Sequence, residues 1–158
     1  MRIVVVDDDS RIRQMTADAL RDNGHQVDEA DCGAAALALL DETVSLLLTD
    51  VQMPGMSGPE LADAALSRFR ELSVHFMSAD TGAIPTEAFR GRPILAKPFT
   101  LSELLALVEN EQRIRQAARG LRSRASGHHC TDQTFEEAKP VCSPMGSLNH
   151  AFRMRHHP

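Results

Sequence analysis

The sequence predicts an α/β fold in which a doubly wound, five-stranded parallel sheet is covered by helices on both faces. Short segments rich in Val, Ile and Leu alternate with segments of helical periodicity, and this alternation occurs five times along the chain. Several of the strand segments are apolar at every position rather than at every second one. Continuous apolar strands of this kind are typical of a sheet that is buried on both sides.

Two strand and helix pairs make up the first part of the predicted fold. Residues 2–6, RIVVV, predict a buried strand, and a helix follows from Ser10 to Asn23, where Asn-Gly ends it. Residues 25–30, HQVDEA, predict a short strand, and the Ala- and Leu-rich residues 33–40 predict a helix. In the first of these helices we expect the residues facing the sheet to be Ile12, Met15, Thr16, Ala19 and Leu20.

Three further units complete the fold. Residues 44–50, VSLLLTD, predict a continuous apolar strand, and the loop VQMPGMSG leads to a helix with Pro59 in its first turn, where a missing N–H costs little. The segments SVHFMSAD and RPILAKPF predict two more strands, the second ending at Lys97-Pro98. The last helix begins with a Thr100-x-x-Glu103 capping box, and its expected inner stripe is Leu101, Leu104, Leu105 and Val108.

The chain divides into a domain and a different C-terminal segment. With 158 residues and 42% hydrophobic composition, it is long enough for one globular domain and some additional chain. Residues 1–113 contain 19 acidic and 10 basic residues, whereas residues 114–158 contain 3 and 7. We expect a domain over 1–115, a basic extension of the last helix over 116–124, and a disordered tail over 125–158, which has almost no periodic apolar residues.

Composition excludes several classes of function. The chain has no Trp or Tyr on which nucleic acid bases could stack, and the C-terminal segment lacks the two amphipathic helices of a helix-turn-helix, so direct DNA binding is not expected. No apolar run approaches the roughly 18–20 residues of a membrane span, and the N-terminus leads directly into a strand rather than a signal peptide. These features predict a cytoplasmic protein without membrane contact, with its three cysteines reduced.

Polar residues stand at the carboxyl ends of the predicted strands, where open parallel sheets bind their ligands. They are Asp7, Asp8 and Asp9 after the first strand, Asp50 after the third, Ser78 after the fourth and Lys97 after the fifth. Two carboxylates about 4 Å apart repel by about 4 kcal/mol at an effective dielectric near 20, so such a cluster requires a cation or protonation. Hard carboxylate oxygens with no His or Cys nearby favour Mg²⁺.

The same residues suggest phosphoryl chemistry. A metal ion, the Lys97 ammonium and the Ser78 hydroxyl can neutralise or bind phosphoryl oxygens, which leaves one carboxylate to attack phosphorus and form an acyl phosphate. The site is therefore interpreted as a self-phosphorylating acceptor. No enzymatic activity beyond this self-catalysed acceptance and loss of the phosphoryl group is expected.

The motifs VVVDDDS, LLLTDVQMPGMSG, FMSAD and LAKPFT resemble, in order and near spacing, those of the CheY-like receiver domain of two-component response regulators. The resemblance covers about residues 1–115 and implies the flavodoxin-like strand order 2-1-3-4-5. It implies Asp50 as the phosphoacceptor, Ser78 as the hydroxyl residue that turns toward the phosphoryl group and Lys97 as its cationic partner. By the same resemblance the Lys97-Pro98 bond is cis. Asp9 corresponds to a more variable position of the family and is interpreted as the cap of the first helix.

The resemblance also implies a set of Mg²⁺ ligands. Asp8 is similar to the residue that binds the ion directly, and Asp7 to the one that acts beside it, largely through water. Asp50 and the main-chain carbonyl of Gln52 complete the implied set. The partners implied are a sensor histidine kinase or a histidine phosphotransfer protein as phosphohistidine donor, and a downstream protein target.

Two departures from the family pattern concern output. Ile94 stands where the family has its switch aromatic residue, and the segment between Ser78 and Lys97 is a few residues shorter than usual, which predicts a short or distorted fourth helix. The short C-terminal segment favours a stand-alone receiver, similar to those found on hybrid histidine kinases, that acts as a shuttle, as a sink for phosphoryl groups or through protein contact.

A phosphatase is the main alternative interpretation. Asp7-x-Asp9-Ser10 after a strand also resembles the nucleophile motif of haloacid-dehalogenase-like phosphatases, with Asp7 as the nucleophile. That family requires a further acidic pair after its lysine, and none follows Lys97 inside the predicted fold. His25 and His75 show no partner pattern and are expected to be surface or strand residues.

Overall fold

The computed structural model describes residues 1–79 and 89–125, with side chains through residue 121. The predictions for the short fourth helix and for the tail beyond 125 fall outside these residues. The described part contains five strands and four helices: β1 (Arg2–Val6), α1 (Ser10–Asp22), β2 (Gln26–Ala30), α2 (Gly33–Leu39), β3 (Val44–Asp50), α3 (Gly58–Arg68), β4 (Ser73–Ser78), β5 (Ile94–Ala96) and α4 (Leu101–Ala125). Within the described residues, none of the helices is both long and apolar enough to cross a membrane.

All strand pairs are parallel, and the strand order is β2-β1-β3-β4-β5, as predicted. β1 therefore lies between β2 and β3, and the chain crosses over from one side of β1 to the other between β2 and β3. This arrangement places the carboxyl ends of β1 and β3 next to each other at the switch in strand order, which is the usual position of ligand sites in open α/β sheets.

The two faces of the sheet carry separate cores because consecutive strand residues point in opposite directions. Val4, Val6, Leu47 and Phe76 pack on the side covered by α2 and α3. The other side is covered by α1 and α4, and its buried residues include Ile3, Val5, Leu46, Leu48, Met77, Leu104 and Val108. Both helix layers are thus fixed against the same central strands.

Helix ends agree with the sequence, whereas some inner faces do not. Asp9 caps α1, with its carboxylate accepting from the N–H groups of Arg11 and Ile12, and α3 begins with a complete Ser57 capping box. The predicted inner stripe of α4 is wrong at Leu101, which is 54% exposed. The predicted inner face of α1 is confirmed at Thr16 and Leu20, which are buried, but it is wrong at Met15, which is 57% exposed, because the helix buries Ala17 instead.

Candidate functional site

Two carboxylates lie side by side at the adjoining ends of β1 and β3. Asp7 directly follows β1, and Asp50 is the last residue of β3. The side chain of Asp7 is 1% exposed and that of Asp50 is 9% exposed. Two acids in this position are costly unless a cation faces them.

Lys97 provides that positive charge. Its Nζ atom donates to Asp7 Oδ2 at 2.7 Å and to Asp50 Oδ1 at 2.6 Å. The lysine follows β5 by one residue, and its main-chain N–H donates to the Ser78 carbonyl at 2.7 Å, which directs the side chain toward β3. The next peptide bond, Lys97–Pro98, is cis, as expected.

Burial and pairing act against each other in this cluster. Burial raises the pKa of Asp7, and the hydrogen bonds from Lys97 and from the Asp9 N–H oppose the shift without cancelling it. For Lys97, burial acts to lower the pKa, but the hydrogen bonds and charges of Asp50 and Asp7 outweigh it and raise the pKa. One ammonium faces two carboxylates, so when both acids are ionised the cluster retains a negative charge that a further cation can balance.

The three consecutive acids at the end of β1 have three different environments. Asp7 is buried against Lys97, and Asp9 is the cap of α1. Asp8 is exposed and lines a surface cavity of about 680 Å³ together with Gln52 and five further residues, Val51, Met53, Pro54, Ser57 and Pro59. Of the three, only Asp8 lines this cavity.

Gln52 encloses the Asp50 carboxylate from the other side. Its main-chain N–H donates to Asp50 Oδ2 at 3.0 Å, so both oxygens of Asp50 have a donor in this state, one from Gln52 and one from Lys97. The N–H of Val51 donates to the Met77 carbonyl on β4, which fixes the start of the loop.

The donor set suits Mg²⁺ in kind. The candidate ligands, which are the carboxylates of Asp7, Asp8 and Asp50 and the carbonyl of Gln52, are all oxygen atoms. Asp8 also lines a cavity with room for water ligands. Among the residues that the structure describes, however, no three His, Cys, Asp or Glu side chains are grouped so as to hold a metal ion. Asp7 and Asp50 turn toward Lys97 while Asp8 turns toward the cavity, so metal binding requires the carboxylates to be shared with Lys97 or released from it.

Ser78 lies at the end of β4, the strand next to the one that ends at Asp50. It is 2% exposed and is in register with Ala96, the residue before Lys97. The structure therefore brings together Asp7, Asp50, Ser78 and Lys97 from four different strand ends, with Asp8 and Gln52 at the rim.

Gly58 is required at this site because of a close approach. A Cβ atom on this residue would lie 2.2 Å from the carbonyl oxygen of Asp50 and 3.1 Å from the Cα of Val51. The Gly58 N–H also donates to the Val51 carbonyl at 3.0 Å. The start of α3 thus packs directly on the main chain that carries the candidate phosphoacceptor.

Sequence reasoning missed a buried polar network beneath α4. His75 on β4 is 4% exposed, and its Nε2 lies 3.1 Å from Glu111 Oε2. Glu111 also accepts from the Ser73 hydroxyl, and the Arg115 guanidinium donates to the carbonyls of Ser45 and Glu71. His75 is a strand residue, as predicted, but its partner Glu111 was not anticipated. The available sign was the stripe Leu104, Val108, which continues at helical spacing into Glu111 and Arg115.

Arg13 was also not anticipated. Its guanidinium donates to the main-chain carbonyl of Asp7 at 2.7 Å, and its Nε atom lies 3.6 Å from a Glu29 carboxylate oxygen on β2. The sequence shows only an arginine on the polar side of an amphipathic helix.

Comparisons with known proteins agree with this geometry. Residues 3–109 match the family model of the response regulator receiver domain. The chain is 36% identical over 112 residues to the response regulator receiver protein CpdR of Brucella abortus, covering 68% of this chain and 93% of CpdR. It is 38% identical over 112 residues to FleR of Pseudomonas aeruginosa, covering 68% of this chain but only 24% of FleR.

A solved structure of a response regulator is also similar to this chain. The response regulator TrrA of Thermotoga maritima, crystallised in complex with Mg²⁺–BeF, superposes with a TM-score of 0.64 at 27% identity, covering 70% of this chain and 97% of that structure.

Proposed function

The chain belongs to the response regulator receiver domain family, and on this premise we propose that it accepts a phosphoryl group on Asp50 from a phosphohistidine donor, with Mg²⁺ bound beside it. It is a receiver domain of two-component response regulators, and such domains act in signalling. The family gives no support to the phosphatase alternative with Asp7 as nucleophile.

One observation carries the assignment to Asp50. Lys97 bridges the buried carboxylates of Asp7 and Asp50 with bonds of 2.7 and 2.6 Å at the junction of β1 and β3. Both acids adjoin residues that line the cavity, but the Asp50 side chain is 9% exposed whereas that of Asp7 is only 1% exposed. The acid that a phosphoryl group reaches from the cavity is therefore Asp50.

In the proposed transfer, a carboxylate oxygen of Asp50 forms a bond to phosphorus while the phosphorus–nitrogen bond of the phosphohistidine breaks. The leaving electron pair goes to the imidazole nitrogen of the donor. The Lys97 ammonium already donates a hydrogen bond to the Asp50 carboxylate. It can therefore move from the carboxylate to a phosphoryl oxygen and stabilise the negative charge of that oxygen.

Asp7, Asp8, Asp50 and the carbonyl of Gln52 would hold the Mg²⁺ ion, which supplies positive charge for the phosphoryl oxygens when bound. Ser78 lies on the strand next to Lys97 and is assigned the hydroxyl donor to the same group. Asp7 is assigned a supporting role because its Oδ1 already accepts from the Asp9 N–H and its Oδ2 from Lys97.

The proposal also covers the phosphoryl donor, the output of the domain and its boundaries in the chain. The donor is a sensor histidine kinase or a histidine phosphotransfer protein, and the phosphorylated domain acts through contact with a protein target in the cytoplasm, without binding DNA itself. The domain is assigned to residues 1–115 and the basic helical extension to 116–124. The match covers 93% of CpdR, whereas it covers only 24% of FleR.

Mass spectrometry tests the proposal directly. The full chain is incubated with acetyl phosphate and Mg²⁺, and its intact mass and peptide map are compared with those of Asp50→Asn and Asp7→Asn. We expect a single phosphoryl adduct on Asp50 that disappears in Asp50→Asn and, in wild type, on removal of Mg²⁺. An adduct on Asp7, or none on Asp50 in the folded wild type, contradicts the proposal.

A further inference from the structure

We propose that Arg13 is a positioning residue for the divalent cation: by holding the main-chain carbonyl of Asp7, it fixes the turn from which Asp8 reaches the cavity. This inference rests on the proposed function, because it assigns a role to Arg13 at the same site. Arg13 does not touch the cation or the phosphoryl group in this role.

The first contact connects α1 to the end of β1. The Arg13 guanidinium donates to the Asp7 carbonyl oxygen at 2.7 Å, although the two residues are six positions apart in sequence. The arginine side chain is only 16% exposed, so this bond is largely shielded from competing water. A charged donor makes a stronger hydrogen bond than a neutral one.

The second contact connects the same arginine to β2. Its Nε atom lies 3.6 Å from Glu29 Oε2, and the other oxygen of Glu29 lies 2.9 Å from Arg21. The Asp7 N–H donates to the Ala30 carbonyl at 3.2 Å, also on the β2 side. The peptide groups on both sides of Asp7 are therefore held against β2, one directly and one through Arg13.

These contacts leave no polar group of Asp7 without a hydrogen bond. Its N–H, its carbonyl and both carboxylate oxygens each have a hydrogen-bond partner: Ala30, Arg13, Asp9 and Lys97. The carbonyl that Arg13 holds belongs to the peptide bond between Asp7 and Asp8. A rotation of this peptide group would redirect the chain at Asp8 and move its carboxylate relative to Asp50.

The inference is testable because the charge of Arg13, taken alone, and its hydrogen bond to the turn predict opposite effects on the affinity for Mg²⁺. The guanidinium is positive and lies close to the acids, so its removal should strengthen cation binding if it acts only through its charge. If Arg13 instead positions the turn, its removal should weaken binding, since partners that orient metal ligands typically change affinity by about 10–100-fold.

The experiment is a calorimetric titration of the full chain with MgCl₂, in wild type, Arg13→Met, Arg13→Lys and the control Arg11→Met. Arg11 is an exposed arginine on the same helix, so its replacement removes the same charge without touching the turn. We expect the Kd for Mg²⁺ to rise about 10-fold in Arg13→Met. Arg13→Lys should be intermediate, because it keeps the charge but not the planar fork of donors, and Arg11→Met should bind as wild type or slightly tighter.

A second readout separates positioning from general damage. The Mg²⁺ concentration that gives half of the maximal Asp50 adduct should rise in Arg13→Met by the same factor as the Kd, while the adduct at saturating Mg²⁺ returns to the wild-type level. A purely structural defect would lower the melting temperature without Mg²⁺ and would not be restored in this way.

The inference is overturned if folded Arg13→Met binds Mg²⁺ as tightly as Arg11→Met. If Arg13→Met does not fold, Arg13→Lys decides, and a wild-type Kd in that variant overturns the inference. Its failure is distinct from failure of the proposed function: a wild type that binds Mg²⁺ but forms no adduct on Asp50 contradicts the function, whereas the Kd series still tests the role of Arg13.

Discussion

Replacing Glu111 by Leu should destabilise the protein strongly through the buried network between α4 and β4. The Glu111 and His75 side chains are 8% and 5% exposed, and Glu111 accepts from both His75 and Ser73. A buried donor left without a partner costs about 1–3 kcal/mol. Two such donors give an expected loss of about 2–6 kcal/mol in the free energy of unfolding, a large part of the roughly 5–15 kcal/mol that holds a domain together.

The assay is urea unfolding followed by far-ultraviolet circular dichroism, since the chain has no Trp or Tyr for fluorescence. The control is Glu109→Leu, an exposed position on the same helix, which should change the free energy by no more than about 0.5 kcal/mol. His75→Leu combined with Glu111→Leu should cost clearly less than the sum of the two single changes, because neither the imidazole nor the carboxylate is left buried without the other, and only the Ser73 hydroxyl loses its acceptor. Additive single effects below about 0.5 kcal/mol each would refute the reasoning.

The same network predicts a pH dependence. Burial lowers the pKa of His75, and Glu111 only partly opposes this. Below the ordinary pKa of 6.5 the unfolded chain therefore binds a proton that the folded chain accepts less readily. The free energy of unfolding should be at its full value above pH 6.5 and fall as the pH decreases through the lowered pKa of the folded state. The difference between wild type and His75→Phe isolates this contribution, and a difference that is constant from pH 8 to 5 would contradict it.

Three further changes test the candidate site and its supports. Gly58→Ala places a Cβ atom 2.2 Å from the Asp50 carbonyl, so the main chain must move; we expect slower formation of the Asp50 adduct and a lower melting temperature, and wild-type values for both would show that the contact is easily relieved. Lys97→Ala removes the cation between Asp7 and Asp50 and should cost about 3 kcal/mol of unfolding free energy without Mg²⁺, with a larger rise in melting temperature on adding Mg²⁺ than in wild type; an equal rise would contradict the shared carboxylates. Asp9→Ala removes the cap of α1 and should lower the urea midpoint of unfolding, whereas Asp9→Asn, which can still cap the helix, should have a midpoint close to that of wild type.

The strands and the cluster at their ends could be predicted because each depends on local sequence. Continuous apolar runs such as VSLLLTD identify strands buried on both faces, and parallel strands bring Asp7, Asp50 and Lys97 to the same edge of the sheet. The resemblance to receivers then provided the strand order, which apolar runs alone do not determine.

Contacts between distant segments could not be predicted in the same way. Periodicity placed Met15 and Leu101 among the inner residues, but the position of each helix on the sheet leaves them exposed. Arg13 and Glu111 are ordinary charged residues of amphipathic helices until the fold supplies the Asp7 carbonyl and His75 as partners. The roles of these residues follow from distances between elements, which one sequence does not contain.

The path of α4 has a consequence for how information leaves this domain. The helix begins beside the candidate site, four residues after Lys97, and by Arg115 it is bound to the opposite edge of the sheet through the carbonyls of Ser45 and Glu71. At about 1.5 Å per residue, these fifteen residues span about 22 Å. The part of α4 beyond Arg115 therefore begins at the edge of the sheet opposite the candidate site. A protein that bound this part of the helix would lie too far from Asp50 to touch a phosphoryl group there.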